Sequence, residues 1–159
     1  PPHLGHRWIA EQALKSKKCD EIWWVPNYFD PEKAGQNIDF SHRCDMVKLL
    51  IEGDARMHLL TLEKDYYEHD GRYKESEEVM GLLKRDFPEH QLIWLGGGDL
   101  EHSAWFKHLA LTQVTFIVPR GEVEISSTLI RDKIKRKEEV DRLLTRPVAD
   151  YIKQHNLYI

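Results

Sequence analysis

Apolar residues recur at helical spacing from the start of the chain. Leu4, Trp8, Ile9, Ala13 and Leu14 share a stripe that leaves Arg7, Glu11, Gln12 and Lys15 outside it, which predicts a helix over 4–17 burying one face. The period then changes: Glu21-Ile22-Trp23-Trp24-Val25-Pro26-Asn27 is a short apolar run closed by proline, the pattern of a strand buried on both faces. A loop over 28–37 follows. Ser41 is placed to cap a helix reaching about residue 52, with Met46, Val47, Leu50 and Ile51 as its buried stripe and Gly53 ending it. Residues 57–62 read as a second strand.

Residues 64–74 are polar and irregular, with a turn at Asp70-Gly71, and a helix over 76–85 stops before Phe87-Pro88. The third strand, 91–95, breaks into Gly96-Gly97-Gly98-Asp99. A helix over 100–109 leads to a strand over 114–118 closed by Pro119, and an extended piece over 123–125 enters a basic helix at Ser126. The tail over 147–155 is helical, with Val148, Tyr151 and Ile152 on one face. Trp23, Trp94 and Met46 read as core residues. Strands alternating with helices predict an α/β fold, a parallel sheet with helices on both faces and one domain over 1–159. A helix opening at the first residue leaves such a sheet without its central strand, so the domain is expected to be incomplete at its N-terminus, with its first strand absent.

Composition narrows the functional classes. The 23 basic and 27 acidic residues give a net charge of −4 in mixed-sign patches, which argues against a nucleic-acid surface and leaves room for a small anionic substrate at a local cluster. No apolar run approaches the roughly 20 residues of a membrane span and no signal-peptide pattern opens the chain. Cys19 and Cys44 are too few for a disulfide framework or a thiolate zinc site and read as packing residues of a cytoplasmic protein. His58, His69, His90, His102, His108 and His155 show no metal-ligand spacing, and no metal ligand is assigned.

Three stretches carry candidate chemistry. In His3-Leu4-Gly5-His6 two imidazoles share the face of a helix's first turn, Pro1-Pro2 favours the helix start, and Gly5 leaves room for a bulky ligand beside N–H groups that suit an anion. At Ser126-Ser127-Thr128 three hydroxyls meet another helix start, with Arg131 one turn on. Taken singly, the first more often describes solvated or capping histidines, and the second an N-cap with a surface arginine. Gly97-Gly98-Asp99 allows close approach of a ligand to the backbone and adds a carboxylate, and fits neither the dinucleotide glycine fingerprint nor a Walker loop.

In combination these motifs resemble the HxGH nucleotidyltransferases, and within them the bacterial nicotinate-nucleotide adenylyltransferases. Pro1-Pro2-His3-Leu4-Gly5-His6 is similar to the second half of the opening motif, and Ile125 to Arg131 to the second signature. Val148-Ala149-Asp150-Tyr151-Ile152 with Leu157-Tyr158 resembles the C-terminal helix, and Trp24 to Asn27, His42-Arg43, Met46, Phe87-Pro88, Gly97 to Asp99 and Trp105 fall between in family order. The resemblance implies a Rossmann-like fold of the adenine nucleotide alpha-hydrolase type and transfer of AMP from ATP to nicotinic acid mononucleotide in NAD biosynthesis. It also implies Mg2+ carried on the ATP phosphates, and a homo-oligomer is compatible with it. His3, His6 and Arg131 would be catalytic. Gly5, Gly97, Asp99, Ser126, Ser127 and Thr128 would bind ATP, and Lys33, Tyr73 and Trp105 the mononucleotide. Where the family has Tyr-Thr before its third helix this chain has Tyr73-Lys74, which leaves acid against amide preference open. The 99–105 and 119–124 intervals are shorter than the family's. Phosphopantetheine or cytidylyl relatives, an aminoacyl-tRNA synthetase fragment and an inactive nucleotide-binding module are the alternatives. The synthetase partner motif Lys-Met-Ser-Lys-Ser is absent.

Overall fold

The computed structural model describes residues 1–29, 38–98, 100, 103–112, 114–118 and 125–159. Their order is α1 (Leu4–Lys15), β1 (Ile22–Trp24), α2 (Phe40–Ile51), β2 (Met57–Leu59), α3 (Leu62–Asp70), α4 (Ser76–Asp86), β3 (Trp94–Gly97), α5 (Ala104–Thr112), β4 (Thr115–Val118), α6 (Ser127–Lys135) and α7 (Arg146–Gln154). The expected alternation and α/β class hold. Among the described residues all strand pairing is parallel, with Ile22 opposite Met57 and Trp94 opposite Thr115, but the strands form two separate ladders, β1 with β2 and β3 with β4, rather than one sheet.

Helices α1, α2, α6 and α7 share the main core. Ala10, Ala13 and Leu14 of α1 meet Met46, Val47, Leu50 and Ile51 of α2, Ile130 of α6, and Val148 and Ile152 of α7. Met46 and Leu50 are fully buried, as their spacing predicts. Arg7 fixes α1 to α2 by donating from Nη1 to the Leu50 carbonyl at 2.6 Å, and ion-pairs with Glu11 at 3.0 Å.

Several expectations are corrected. Residues 64–74 are not irregular: most of them form α3, which ends at Gly71 in the left-handed region with φ 68°, its N–H donating to the Tyr67 carbonyl at 2.7 Å. The polar composition hid a helix with no buried residue of its own. Asp39, not Ser41, occupies the N-cap of α2, without a side-chain cap bond. Helix α5 starts later than expected, where Ser103 Oγ accepts from Phe106 N at 3.1 Å. Strand β3 is displaced toward the glycine run, because pairing places Gly96 opposite Ile117 and Gly97 opposite Val118. Gly96 belongs there because a Cβ would come within 3.0 Å of the Phe106 ring and 3.1 Å of Leu100. Trp8, placed in the buried stripe of α1, is 36% exposed, and Trp23 and Trp94 are half-buried rather than core.

Leu50 sits where four helices converge, so Leu50→Ala is expected to destabilise the protein by about 2–5 kcal/mol. Val114→Ala, at an exposed position, should stay within about 0.5 kcal/mol. Urea unfolding midpoints of the two variants against wild type check this.

Candidate active site

The start of α1 is built by His3. Its backbone is extended (φ −145°, ψ 171°) and its Nδ1 accepts from the His6 N–H at 3.4 Å, so the imidazole itself caps the helix. With Nδ1 accepting, the neutral ring carries its proton on Nε2. His3 is 5% exposed and stacks on the exposed His6 ring, centroids 3.7 Å apart and planes 29° from parallel. Gly5 makes this packing fit: a Cβ there would lie 3.0 Å from His3 Nδ1 and 3.1 Å from Cε1. The room that the sequence reserves for a ligand is taken first by the neighbouring histidine. Burial, then the charges of His6 and of the amino terminus, lowers the His3 pKa from its ordinary 6.5 to about 3. His3 is therefore a neutral donor at pH 7.

The start of α6 faces the same space. Ser126 Oγ caps the helix by accepting from Leu129 N at 3.1 Å, as the motif predicts. Ser127 Oγ donates to the Pro1 carbonyl at 2.9 Å, joining the two helix starts. Arg131 donates from Nη2 to Thr128 Oγ1 at 3.0 Å. The three hydroxyls thus do not converge on one point: the first caps, the second ties the chain and the third holds the guanidinium.

One cavity of about 1670 Å³ collects most of the expected residues: His3, Gly5, His6, Gly97, Ser126, Ser127 and Tyr73 all line it. Thr128 and Arg131 are not among its lining residues. Lys33, Asp99 and the Trp105 side chain lie outside the described residues.

Two features not anticipated as structural devices frame the cavity. Arg43 donates to the carbonyls of Asn27, Tyr28 (2.9 Å) and Ile38 (3.3 Å), fixing the segment after β1 beside α2. Buried Lys74 ion-pairs with Asp70 beneath the loop carrying Tyr73, while Arg72 grips Glu78 at 2.6 and 3.1 Å. Tyr158 lies near both Arg43 and Arg131, and burial raises its hydroxyl to about 12 against their opposing charge. These three Arg43 hydrogen bonds go to backbone carbonyls, which no side-chain pattern announces.

The chain belongs to the cytidylyltransferase-like family, whose model matches residues 1–133. It is similar to the nicotinate-nucleotide adenylyltransferase of Bacillus subtilis (strain 168), 30% identical over 181 residues that take in 99% of this chain and 93% of the relative. A protein of Bacillus pumilus (strain SAFR-032), named a probable nicotinate-nucleotide adenylyltransferase, is 32% identical over 183 residues at the same coverage. A crystal structure from Vibrio parahaemolyticus described under the same enzyme name matches with a TM-score of 0.76 at 18% identity, over 99% of this chain and 88% of that one, and shows the shared fold.

The His3 shift has a testable sign. Between pH 6.5 and 3 the unfolded chain binds a proton at this imidazole that the folded chain refuses, so stability falls as pH drops through that window. His3→Asn keeps a cap acceptor and removes the titration. Wild type is expected to lose up to about 1.4 kcal/mol per pH unit more than the variant. Urea midpoints measured across the window check it, and parallel profiles would show that His3 does not titrate on unfolding.

Proposed function

We infer that this chain transfers the adenylyl group of ATP to nicotinic acid mononucleotide, forming deamido-NAD and pyrophosphate in the cytoplasm. The observation that carries this reading is the meeting of two helix starts on one cavity: His3 and His6 from α1, Ser126 and Ser127 from α6. Backbone N–H groups and the positive dipole end of each helix favour a polyanion between them. The names of the relatives supply the acceptor.

The chemistry asks little of the protein beyond placement. The 5′-phosphate of the mononucleotide is already an anion and attacks the α-phosphorus in line. The bond from that phosphorus to the bridging oxygen of the β-phosphate breaks, and pyrophosphate leaves with the electron pair. No general base is required, so rate comes from orientation and from donors aimed at the developing charge. In this reading neutral His3 gives a hydrogen bond from Nε2, His6 stacks against it at the cavity surface, and Arg131 approaches the phosphates from the first turns of α6. Tyr73 forms part of the acceptor wall. Lys33 toward the acceptor phosphate, Asp99 with Gly97 toward the ribose, and Trp105 against the pyridine ring complete the proposal.

A divalent cation, Mg2+ in this reading, would neutralise phosphate charge during transfer. The hydroxyl and imidazole set at the cavity fits a cation carried on phosphate oxygens. Among the described residues no group of three or more His, Cys, Asp or Glu could hold a metal.

Pyrophosphate release from ATP is expected with nicotinic acid mononucleotide and to a lesser extent with nicotinamide mononucleotide. His6→Ala and Arg131→Ala should each lower kcat by about 10²–10³. The assay is coupled pyrophosphate detection. No release with either acceptor overturns the reading, and full activity in His6→Ala removes that residue's role.

A further inference from the structure

The peptide unit between Asn27 and Tyr28 is gripped at both of its polar atoms. Arg43 Nη1 donates to its oxygen, the Asn27 carbonyl, and Glu63 Oε2 accepts from its nitrogen, the Tyr28 N–H, at 2.9 Å. Backbone amides in helices and strands pair with one another, whereas this one meets a guanidinium and a carboxylate. Charge-assisted hydrogen bonds are about twice as strong as neutral ones, and two of them on one planar amide fix the orientation of its plane. Turning that plane would break both at once. The same guanidinium donates to the Tyr28 carbonyl at 2.9 Å and to the Ile38 carbonyl at 3.3 Å. It lies 5.3 Å from the centre of the Phe40 ring, one turn earlier on α2, and Phe40 meets Tyr28 edge-on at 5.1 Å. From α3, the Tyr67 ring lies one turn after Glu63, 5.2 Å from Tyr28 and 5.8 Å from Phe29. Helix α3 buries no residue of its own, so these contacts with residues 28 and 29, rather than a share of the core, tie it to the fold.

The gripped peptide stands at the substrate cavity. Asn27, Glu63 and Tyr73 all line it. Tyr28, Glu63 and Tyr73 also line a smaller hollow together, which includes, among the described residues, none from the starts of α1 or α6. The grip is thus next to the Tyr73 wall and apart from the two helix starts. We propose, on the transfer reading above, that Arg43 and Glu63 are positioning residues for the acceptor. Holding the Asn27–Tyr28 peptide between α2 and α3, they set the wall that the mononucleotide meets, while ATP is held from the helix starts. Loss of either partner lets the peptide turn without disturbing His3 or Ser126, so the cost falls on acceptor binding. Binding lost equally from ground state and transition state raises KM and leaves kcat in place.

The test measures pyrophosphate release by wild type and by Arg43→Met, Arg43→Lys, Glu63→Ala and Glu63→Gln, varying nicotinic acid mononucleotide and ATP separately. Arg43→Met and Glu63→Ala are each expected to raise KM for the mononucleotide at least about tenfold, with kcat and KM for ATP within about twofold of wild type. Glu63→Gln keeps an acceptor oxygen and Arg43→Lys keeps a charge without the fork, so each should recover part of the loss. Combining Arg43→Met with Glu63→Ala should cost less than the product of the single effects, because both act on one peptide. Hydrogen exchange at the Tyr28 amide, followed without substrate, should quicken at least about tenfold in Glu63→Ala. A mononucleotide KM within about twofold of wild type in Arg43→Met, or equal rises in KM for mononucleotide and ATP, overturns the proposal. So does an unchanged Tyr28 exchange rate. If Arg43→Met or Glu63→Ala does not fold, Arg43→Lys and Glu63→Gln decide by the same split between the two KM values. Absence of release by wild type with either acceptor overturns the transfer reading, and the positioning role with it.

Discussion

The hydrogen bond from Ser127 to the Pro1 carbonyl joins residues 126 positions apart and holds two helix starts against one space. Each start brings N–H groups that its own helix cannot satisfy. His3 and Ser126 take part of that demand as caps, and the Leu143 carbonyl takes the Leu4 N–H at 3.0 Å. The main core supports this arrangement from behind: Ala10, Ala13 and Leu14 seat α1, and Ile130 seats α6, in a single cluster with α2 and α7. The relation between the two motifs is thus a property of core packing as much as of the motifs themselves.

The two histidines of the opening motif have become unlike. His3 is buried, a cap and neutral, whereas His6 is exposed and stacked on it. A hydrogen-bond donor that does not change charge near neutral pH keeps its strength across the physiological range. The pair combines a fixed donor with a surface ring, and Gly5 is the reason the fixed one can lie so close to the backbone.

The helical parts were legible where apolar spacing and cap residues agreed. Met46, Val47, Leu50 and Ile51 on α2 and Ser126 at α6 are placed as their patterns imply. Helix α3 was not, because it buries nothing and its only signal was the Asp70-Gly71 end. Strand β3 slid toward Gly96 and Gly97 because register is a long-range property, fixed by Ile117 and Val118 on another strand. The motif residues could be named from sequence, but the Arg43 contacts could not, since backbone carbonyls leave no trace in residue type. Trp23 and Trp94, expected in the core from their apolar runs, are half-buried, because an apolar run marks a strand without saying what covers each of its faces.

Gly96 has a wider reach than its size suggests. Phe106 and Leu100 occupy the place of its missing side chain, so the spacing between β3 and the start of α5 is set by backbone against ring, with no side chain between. The residue works as a shim of zero thickness. A Cβ there would ask the Phe106 ring and Leu100 to give by a few tenths of an ångström in a packed interior. Geometry at the strand ends is thereby calibrated from inside the fold, by an atom that is not there.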